Sequence, residues 1–362
     1  MTEKLKVEVV VVGAGPAGST AAEYAALGGA EVLVLEKRPI IGVPVRCGEF
    51  MPQTDEIKDI FPDARLLDQL FDMPSSLKSL ETERLRIFSP RLRGSEIPFH
   101  GYTTFRDQFD QHLAAKAMKA GARFLTAERC VKVDGNKVFT PDLEIEAKTV
   151  IGADGPLSLV AKTLNFERSW DLCPALATEA RGDFEPVPEM YFGNISPGGY
   201  AWVIPKKQGA NVGLGVSRRY SKGDLLSYWK PFVAYRKLEV GKLSGKMVPM
   251  SGPIPKTVQG DCLVVGDAAG QVMAVNGGGI PIAMICGRIA GQVAARHALN
   301  GMDLQEYERG WRKQVGKPLQ TAVRTKRLAM MAFGSQWRLE WAMRFMGDKG
   351  MGKAIRCQRL FL

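Results

Sequence analysis

The chain has 362 residues, 39.6 kDa, with 45% hydrophobic and 24% charged residues, which excludes a disordered or fibrous protein and a single small module. Its longest uncharged stretch, Ala268 to Gly287, holds five glycines, Asn276 and Pro281, so it cannot serve as a membrane-spanning helix. The net charge of +11 is uneven: Lys317 to Leu362 carries ten basic residues against two acids, a net of +8, and the basicity belongs to this tail segment.

The first residues show no basic-then-apolar leader. Six scattered cysteines without C-x-x-C spacing, and only His100, His112 and His297, point to a reducing, cytoplasmic setting and to no metal site. In chain order, Val7 to Val12 reads as a buried parallel strand. The glycine run Gly13-Ala14-Gly15-Pro16-Ala17-Gly18 follows, then an alanine-rich helix from Ser19 to Leu27 and a second strand, Glu31 to Glu36. This is a βαβ unit of the length such a crossover needs. Short strands are expected at Arg84–Phe88 and around Pro98–Tyr102, and an amphipathic helix at Asp107–Ala120. Further strands are expected at 123–126, 130–133, 138–140 and 144–151. Met190–Phe192, Tyr200–Ile204 and Asn211–Val216 suit an antiparallel lobe. A buried strand at 262–266 precedes a helix at Pro281–Leu299, with Pro at its first turn. No repeat or low-complexity linker interrupts this order.

In the fingerprint Gly13-x-Gly15-x-x-Gly18 the glycines permit a tight turn, close approach of a pyrophosphate and close helix packing. The motif alone is weak, but here strand, helix and an acid at the end of the second strand are all in place. Glu36 can accept hydrogen bonds from a ribose diol and disfavours a 2′-phosphate, so FAD or NAD fits better than NADP. Gly266-Asp267-Ala268-Ala269 offers a carboxylate to a polyol, which the ribityl chain of a flavin has and NAD lacks. Gly277-Gly278-Gly279-Ile280-Pro281 then opens a helix whose positive N-terminus suits the N1–C2=O edge of a reduced flavin. Asp154-Gly155 either approaches the cofactor or only makes a turn. Arg106 either clamps the dinucleotide or sits at the surface beside a helix-capping Asp107.

With these motifs together the chain resembles the p-hydroxybenzoate-hydroxylase-like FAD flavoproteins, and more narrowly the geranylgeranyl reductase family. The narrower resemblance rests on Glu36-Lys37-Arg38-Pro39-x-Ile41-Gly42-x-Pro44-Val45-Arg46-Cys47-Gly48-Glu49. It rests also on Pro197-Gly198-Gly199-Tyr200-Ala201-Trp202-Val203-Ile204-Pro205, similar to the family's P-x-x-Y-x-W-x-F-P. It implies an α/β fold in which a Rossmann-like FAD-binding domain (1–75, 106–165, 256–302) is interleaved with an antiparallel-sheet substrate domain (76–105, 166–255). Basic amphipathic C-terminal helices (303–362) follow.

The resemblance puts Ala17 and Glu36 at the adenosine half of FAD, Arg106 against the cofactor and Cys130, beginning its strand, at the adenine. Cys47 and Gly48 fall by the isoalloxazine, Asp267 at the ribityl–phosphate region, and Gly279 and Ile280 at the ring edge. Lys37, Arg46, Val131, Asp154, Gly155 and Gly278 complete the expected cofactor contacts. Tyr200 and Trp202 would wall the substrate cavity, unless they are plain core aromatics. Cys47 would donate a proton or gate the flavin, unless it only packs. The chain departs from the family at Ala274-Val275-Asn276 (usually Pro-x-Thr), at Ile204 (Phe) and at Phe50 (Gly).

The activity so implied is reduction of isolated C=C bonds in a geranylgeranyl lipid by hydride from flavin N5, a step of isoprenoid lipid biosynthesis. Two alternatives stand beside it. Tyr200-x-Trp202-x-Ile204-Pro205 also resembles the halogenase W-x-W-x-I-P, which suggests a monooxygenase or halogenase. An electron-transfer flavoprotein could dock through its basic tail. No second dinucleotide fingerprint is present, so electrons would come from transiently docked NAD(P)H or from ferredoxin. In the tail, Phe333, Trp337, Trp341 and Phe345 recur every four residues among methionines and arginines. Such a helix either lies on an anionic membrane surface, peripheral at the inner face, or packs on the body with its basic side solvated. Nucleic acid is a poor partner, since no recognition module accompanies the charge.

Overall fold

The computed structural model describes residues 3–360, so the two outermost residues at each end, Leu362 of the basic tail among them, lie outside the described residues. The apolar opening run forms a strand, Glu3–Val12, at the heart of an eight-stranded sheet. It pairs in parallel with Val32–Glu36 on one side (Val9 opposite Val32) and with Leu143–Gly152 on the other (Val12 opposite Gly152). Arg123–Thr126 extends the sheet beyond the second strand, and Cys262–Val264 extends it beyond Leu143–Gly152. Alternate residues of the opening strand enter different cores. Val9 and Val11 join the helices on one face, while Val10 and Val12 pack on the other. A strand buried on both faces needs this near-continuous valine run.

The crossover helix Pro16–Leu27 lies against the long helix Ile280–Asn300 at backbone distance. A Cβ at Gly287 would stand 2.5 Å from the Ala17 oxygen, and one at Gly291 2.1 Å from the Ala21 oxygen. Two glycines from the C-terminal third of the chain thus seat the N-terminal fingerprint.

The second sheet has nine strands. Its middle is antiparallel, Leu172–Arg181 with Gly209–Gly215 and then Tyr200–Lys206. Glu189–Tyr191, however, runs parallel to Lys78–Phe88, so the lobe is not wholly antiparallel. Phe50–Pro52, inside the stretch expected in the first domain, hydrogen-bonds to Gly94–Thr104 of this second sheet. One face is covered by the helix Leu225–Arg236 through Trp229 and Phe232. That helix lies in a stretch to which the sequence reading assigns no element. Its signal is Asp224, whose carboxylate accepts the Ser227 N–H at 2.8 Å as an N-cap, but Pro231 within it masks the helical pattern. On Tyr200–Lys206 the alternation sends Ala201 and Val203 into this covered face, and Tyr200, Trp202 and Ile204 to the other.

The tail forms two helices, Lys317–Phe333 and Gln336–Ile355. Leu339, Met343 and Ile355 are buried in the main core, while Trp337, Trp341 and Phe345 are exposed. The periodicity is therefore split. Phe333 ends the earlier helix and packs at 6.0 Å on Tyr220, and only the later three aromatics share one outward face. Among the described residues no helix is long and apolar enough to cross a membrane.

Candidate active site

A single cavity of about 1220 Å³ runs from the fingerprint turn beneath the second sheet to the two terminal helices. At its nucleotide end, Gly13 has φ +104°, and a Cβ there would stand 2.5 Å from the Ala153 oxygen. At Gly18 a Cβ would overlap the Gly13 oxygen at 1.8 Å, whereas at Gly15 it would meet nothing within 4 Å. Gly13 and Gly18 thus allow close packing, and Gly15 faces open space. The helix behind them starts at Pro16 with no side-chain cap, so its first N–H groups are available to an anion. The Glu36 carboxylate is fixed beside this turn by the Ala14 N–H at 2.9 Å and the Arg38 N–H at 3.0 Å.

A second helix, Ile280–Asn300, also opens on the cavity from Gly279 with no side-chain cap. Asp267 lies close by and forms a 3.0 Å ion pair with Lys246 of the strand Ser244–Pro249. The Asp267 charge, acting against burial, raises the ammonium above its ordinary value. Lys246 was not foreseen, because nothing around it in sequence marks it and only the sheet brings it to Asp267. Two uncapped helix N-termini, an open Gly15 and the Glu36 carboxylate around one cavity fit FAD, with its pyrophosphate, its ribose diol and its flat ring.

Beyond Asp267 the cavity passes the turn Arg46-Cys47-Gly48-Glu49. Cys47 is partly exposed, and its sulfur accepts the Glu49 N–H at 3.2 Å. A Cβ on Gly48 would press on Ile204 at 3.1 Å and lie 3.6 Å from the Trp202 indole nitrogen, so the turn rests on the Tyr200–Lys206 strand. Tyr200 and Trp202 stand side by side, ring centroids 5.8 Å apart, with Phe192 at 5.8 Å from Tyr200. Trp202 donates to Asn211 Oδ1 at 2.9 Å, and the Tyr200 hydroxyl donates to the Asn276 carbonyl. Burial, with Cys47 nearby, holds the Tyr200 phenol well above its usual value. Asn276 itself accepts the Gly278 N–H and donates to the Ile355 carbonyl at 3.1 Å. This departure from the family pattern thereby ties the glycine turn to the terminal helix. Phe50, another departure, fills the space over Gly101 and packs on Phe99 at 5.9 Å.

Several of the expected contact residues have partners within the protein. Arg106 lines the cavity, but its guanidinium is engaged with Asp110 at 2.8 and 2.9 Å. Burial opposes its charge, while Asp110 and the Cys47 sulfur hold it above its ordinary value. Asp154 also reaches the cavity, yet its carboxylate accepts from Ser158 Oγ at 2.5 Å and from the Leu159 N–H at 2.6 Å. It caps the short helix Leu159–Thr163, so the turn reading describes its contacts. Cys130 precedes the strand Lys132–Asp134 instead of beginning it. Burial, then the Asp154 charge, push its thiol up to about 12, leaving it un-ionised. Val131 is exposed, is not among the residues lining the cavity and spends its N–H on the Phe139 carbonyl at 2.8 Å. Lys37 and Arg46 are exposed at the rim, and Ala17, Gly155 and Ile280 line the wall.

Residues 6–177 match an FAD-binding domain and residues 176–251 a geranylgeranyl reductase catalytic domain. The chain is 37% identical over 358 residues to digeranylgeranylglycerophospholipid reductase 2 of Methanothermobacter thermautotrophicus, covering 90% of this chain and 88% of that one. The corresponding reductase of Methanocaldococcus jannaschii is 35% identical, with 85% and 82% covered. The crystal structure of a geranylgeranyl bacteriochlorophyll reductase-like protein from Thermoplasma acidophilum superposes with a TM-score of 0.81 at 29% identity, over 94% of this chain and 91% of that one. A myxobacterial chondrochloren halogenase superposes at 0.70 with 18% identity, over 87% and 81%, a likeness of fold alone.

Proposed function

The chain belongs to the geranylgeranyl reductase family, and from that premise we propose a function down to its site residues. It is an FAD-dependent oxidoreductase that reduces isolated C=C bonds of a geranylgeranyl lipid. The finer reading is that the lipid is a digeranylgeranyl glycerophospholipid, the substrate named for its relatives. One observation carries it: the cavity continues from the FAD cradle into an apolar chamber walled by Leu85, Met190, Phe192, Trp202, Ala332 and Met343.

Each reduction adds one hydride and one proton across the double bond, and reduced FAD supplies the hydride when bound. Nothing polarises an isolated alkene, so the rate depends on positioning in a dry site. Tyr200 and Trp202, fixed by hydrogen bonds to Asn276 and Asn211, form a rigid wall for a prenyl chain. Cys47 holds a proton on Sγ at the cavity wall and delivers it to the second alkene carbon. Gly13, Gly15, Ala17, Gly18 and Glu36 hold the nucleotide, and Asp267, Gly278, Gly279 and Ile280 the flavin end. The boundaries 1–75, 106–165 and 256–302 for the FAD domain stand as part of this reading, with Phe50–Pro52 reassigned to the substrate sheet.

The chamber reaches Phe345 and Leu328, beside exposed Trp337, Trp341, Arg338 and Arg344. We read this face as the contact with an anionic membrane surface from which the lipid enters, each basic residue adding about 1 kcal/mol. NAD(P)H or ferredoxin would re-reduce the flavin.

The test is an anaerobic single turnover. With the bound flavin reduced by dithionite, addition of a geranylgeranyl glycerophospholipid should re-oxidise it while the lipid gains about two mass units per double bond. A flavin that stays reduced beside an unchanged lipid would overturn the lipid assignment.

A further inference from the structure

Behind the Cys47 turn, polar side chains from four separate segments converge. Glu49 is 1% exposed and has φ +62°, a left-handed conformation that costs a non-glycine residue on the order of 1 kcal/mol and needs partners to hold it. Its Oε1 accepts the Arg106 N–H at 3.1 Å. Its Oε2 accepts from Lys206 Nζ at 2.9 Å and Asn211 Nδ2 at 3.0 Å. The same two donors reach a second carboxylate, Glu179 Oε1, at 3.4 and 3.5 Å. Asn211 Nδ2 also donates to the Cys47 carbonyl at 2.9 Å, while its Oδ1 receives the Trp202 indole.

The charges around this cluster do not balance. Asn211 Nδ2, with two hydrogens, and the Lys206 ammonium are shared between Glu49 and Glu179, and Asn211 also serves the Cys47 carbonyl. One ammonium, which also lies 5.2 Å over the Phe105 ring, must balance two carboxylates. A proton between the carboxylates removes one of the two negative charges and leaves the single ammonium balanced.

We infer that Glu49 and Glu179 hold one proton between them, and that Glu179, outside the cavity, is thereby a positioning residue for the Cys47 turn and the Trp202 wall. The groups facing Glu179 are Glu49 from the turn and Lys206 from the neighbouring strand, and Arg106 meets the pair only through its backbone. Burial, then Glu49, push Glu179 up to about 7 against the pull of Lys206. When the pH rises through that value the proton leaves to solvent and two carboxylates confront each other. Glu179 has 53% of its side-chain surface exposed and can swing outward. Asn211 and Lys206 are then drawn off their contacts with the turn. This inference rests on the assignment of Cys47 and Trp202 to the reductase site.

Two measurements on the holoenzyme test it. Infrared difference spectroscopy should show a protonated-carboxyl band that disappears along a one-proton curve with its midpoint near 7, and Glu179→Gln should abolish it. The single-turnover rate should fall along the same curve in the wild type and lose that limb in Glu179→Gln, an isosteric change at a half-exposed site. Lys206→Gln removes the opposing cation and should move both midpoints to higher pH. Absence of the band would overturn the shared proton. A wild-type rate profile surviving in Glu179→Gln would overturn the positioning role. The infrared arm needs no lipid, so its result stands even if the assigned reaction fails.

Discussion

The two ends of the cavity are built in opposite ways. The nucleotide end is almost all backbone from one short stretch: Gly13, Gly15, Gly18 and the first turn of the next helix, with Glu36 closing the βαβ unit. The far end is side chains from distant segments: Cys47, Trp202, Asn211, Lys246 and Asp267, joined across two sheets and the turns beside them. Backbone cradles serve any ligand with a pyrophosphate, whereas side-chain constellations are particular to a reaction. This is why halogenase and reductase share the fold at 18% identity, and why function has to be read from the second end.

Damage should follow this division. The largest effect is expected at Gly18, where Gly18→Val drives a side chain into the Gly13 oxygen. FAD should be lost and the fold weakened by about 3 kcal/mol or more, read from the flavin-to-protein absorbance ratio and a urea titration. Cys47→Ala should keep the flavin but slow single turnover by roughly 100-fold. Retained turnover would move the proton donor elsewhere and break the contrast. Glu36→Ala should weaken FAD binding by about 10- to 100-fold, for lost charge-assisted hydrogen bonds, with the alkene step unchanged once FAD saturates. Tyr200→Phe removes one hydroxyl contact and should cost roughly 1 kcal/mol, appearing as a several-fold loss in kcat/KM with flavin retained. Trp341→Glu, on an exposed surface, should leave stability within about 0.5 kcal/mol and reduce co-sedimentation with anionic vesicles, which sharpens the assignment of the chamber's mouth.

The Glu49–Glu179 pair adds a stability test. Its folded-state proton is held up to about 7, whereas an unfolded glutamate releases it near pH 4.3. Between these values the folded chain carries the extra proton, so stability should fall as pH rises through this window. Chemical denaturation at several pH values should show this slope, reduced in Glu179→Gln.

The nucleotide end was legible because its pattern is contiguous. A valine run, three glycines at fixed offsets and an acid after the next strand follow from the hydrogen-bond geometry of one turn and one crossover. Asp267 and the Gly277–Gly279 turn were legible for the same reason, each being a strand-end or helix-start signal. Asp154 and Arg106 show the limit. Their residue types suit a cofactor, but whether a carboxylate caps a helix or a guanidinium is already paired depends on neighbours a few ångströms away. Strand alternation pointed Tyr200 and Trp202 to one face, but not to Asn276 and Asn211, which hold them.

Local chemistry dictated the βαβ unit, the choice of FAD and the amphipathic tail, since backbone conformation and periodicity act over a few residues. Tertiary structure alone decided that Glu49, Glu179, Lys206 and Asn211 meet behind Cys47. Those positions lie up to 162 residues apart, and only the seating of the Cys47 turn on three paired strands brings them within hydrogen-bond reach.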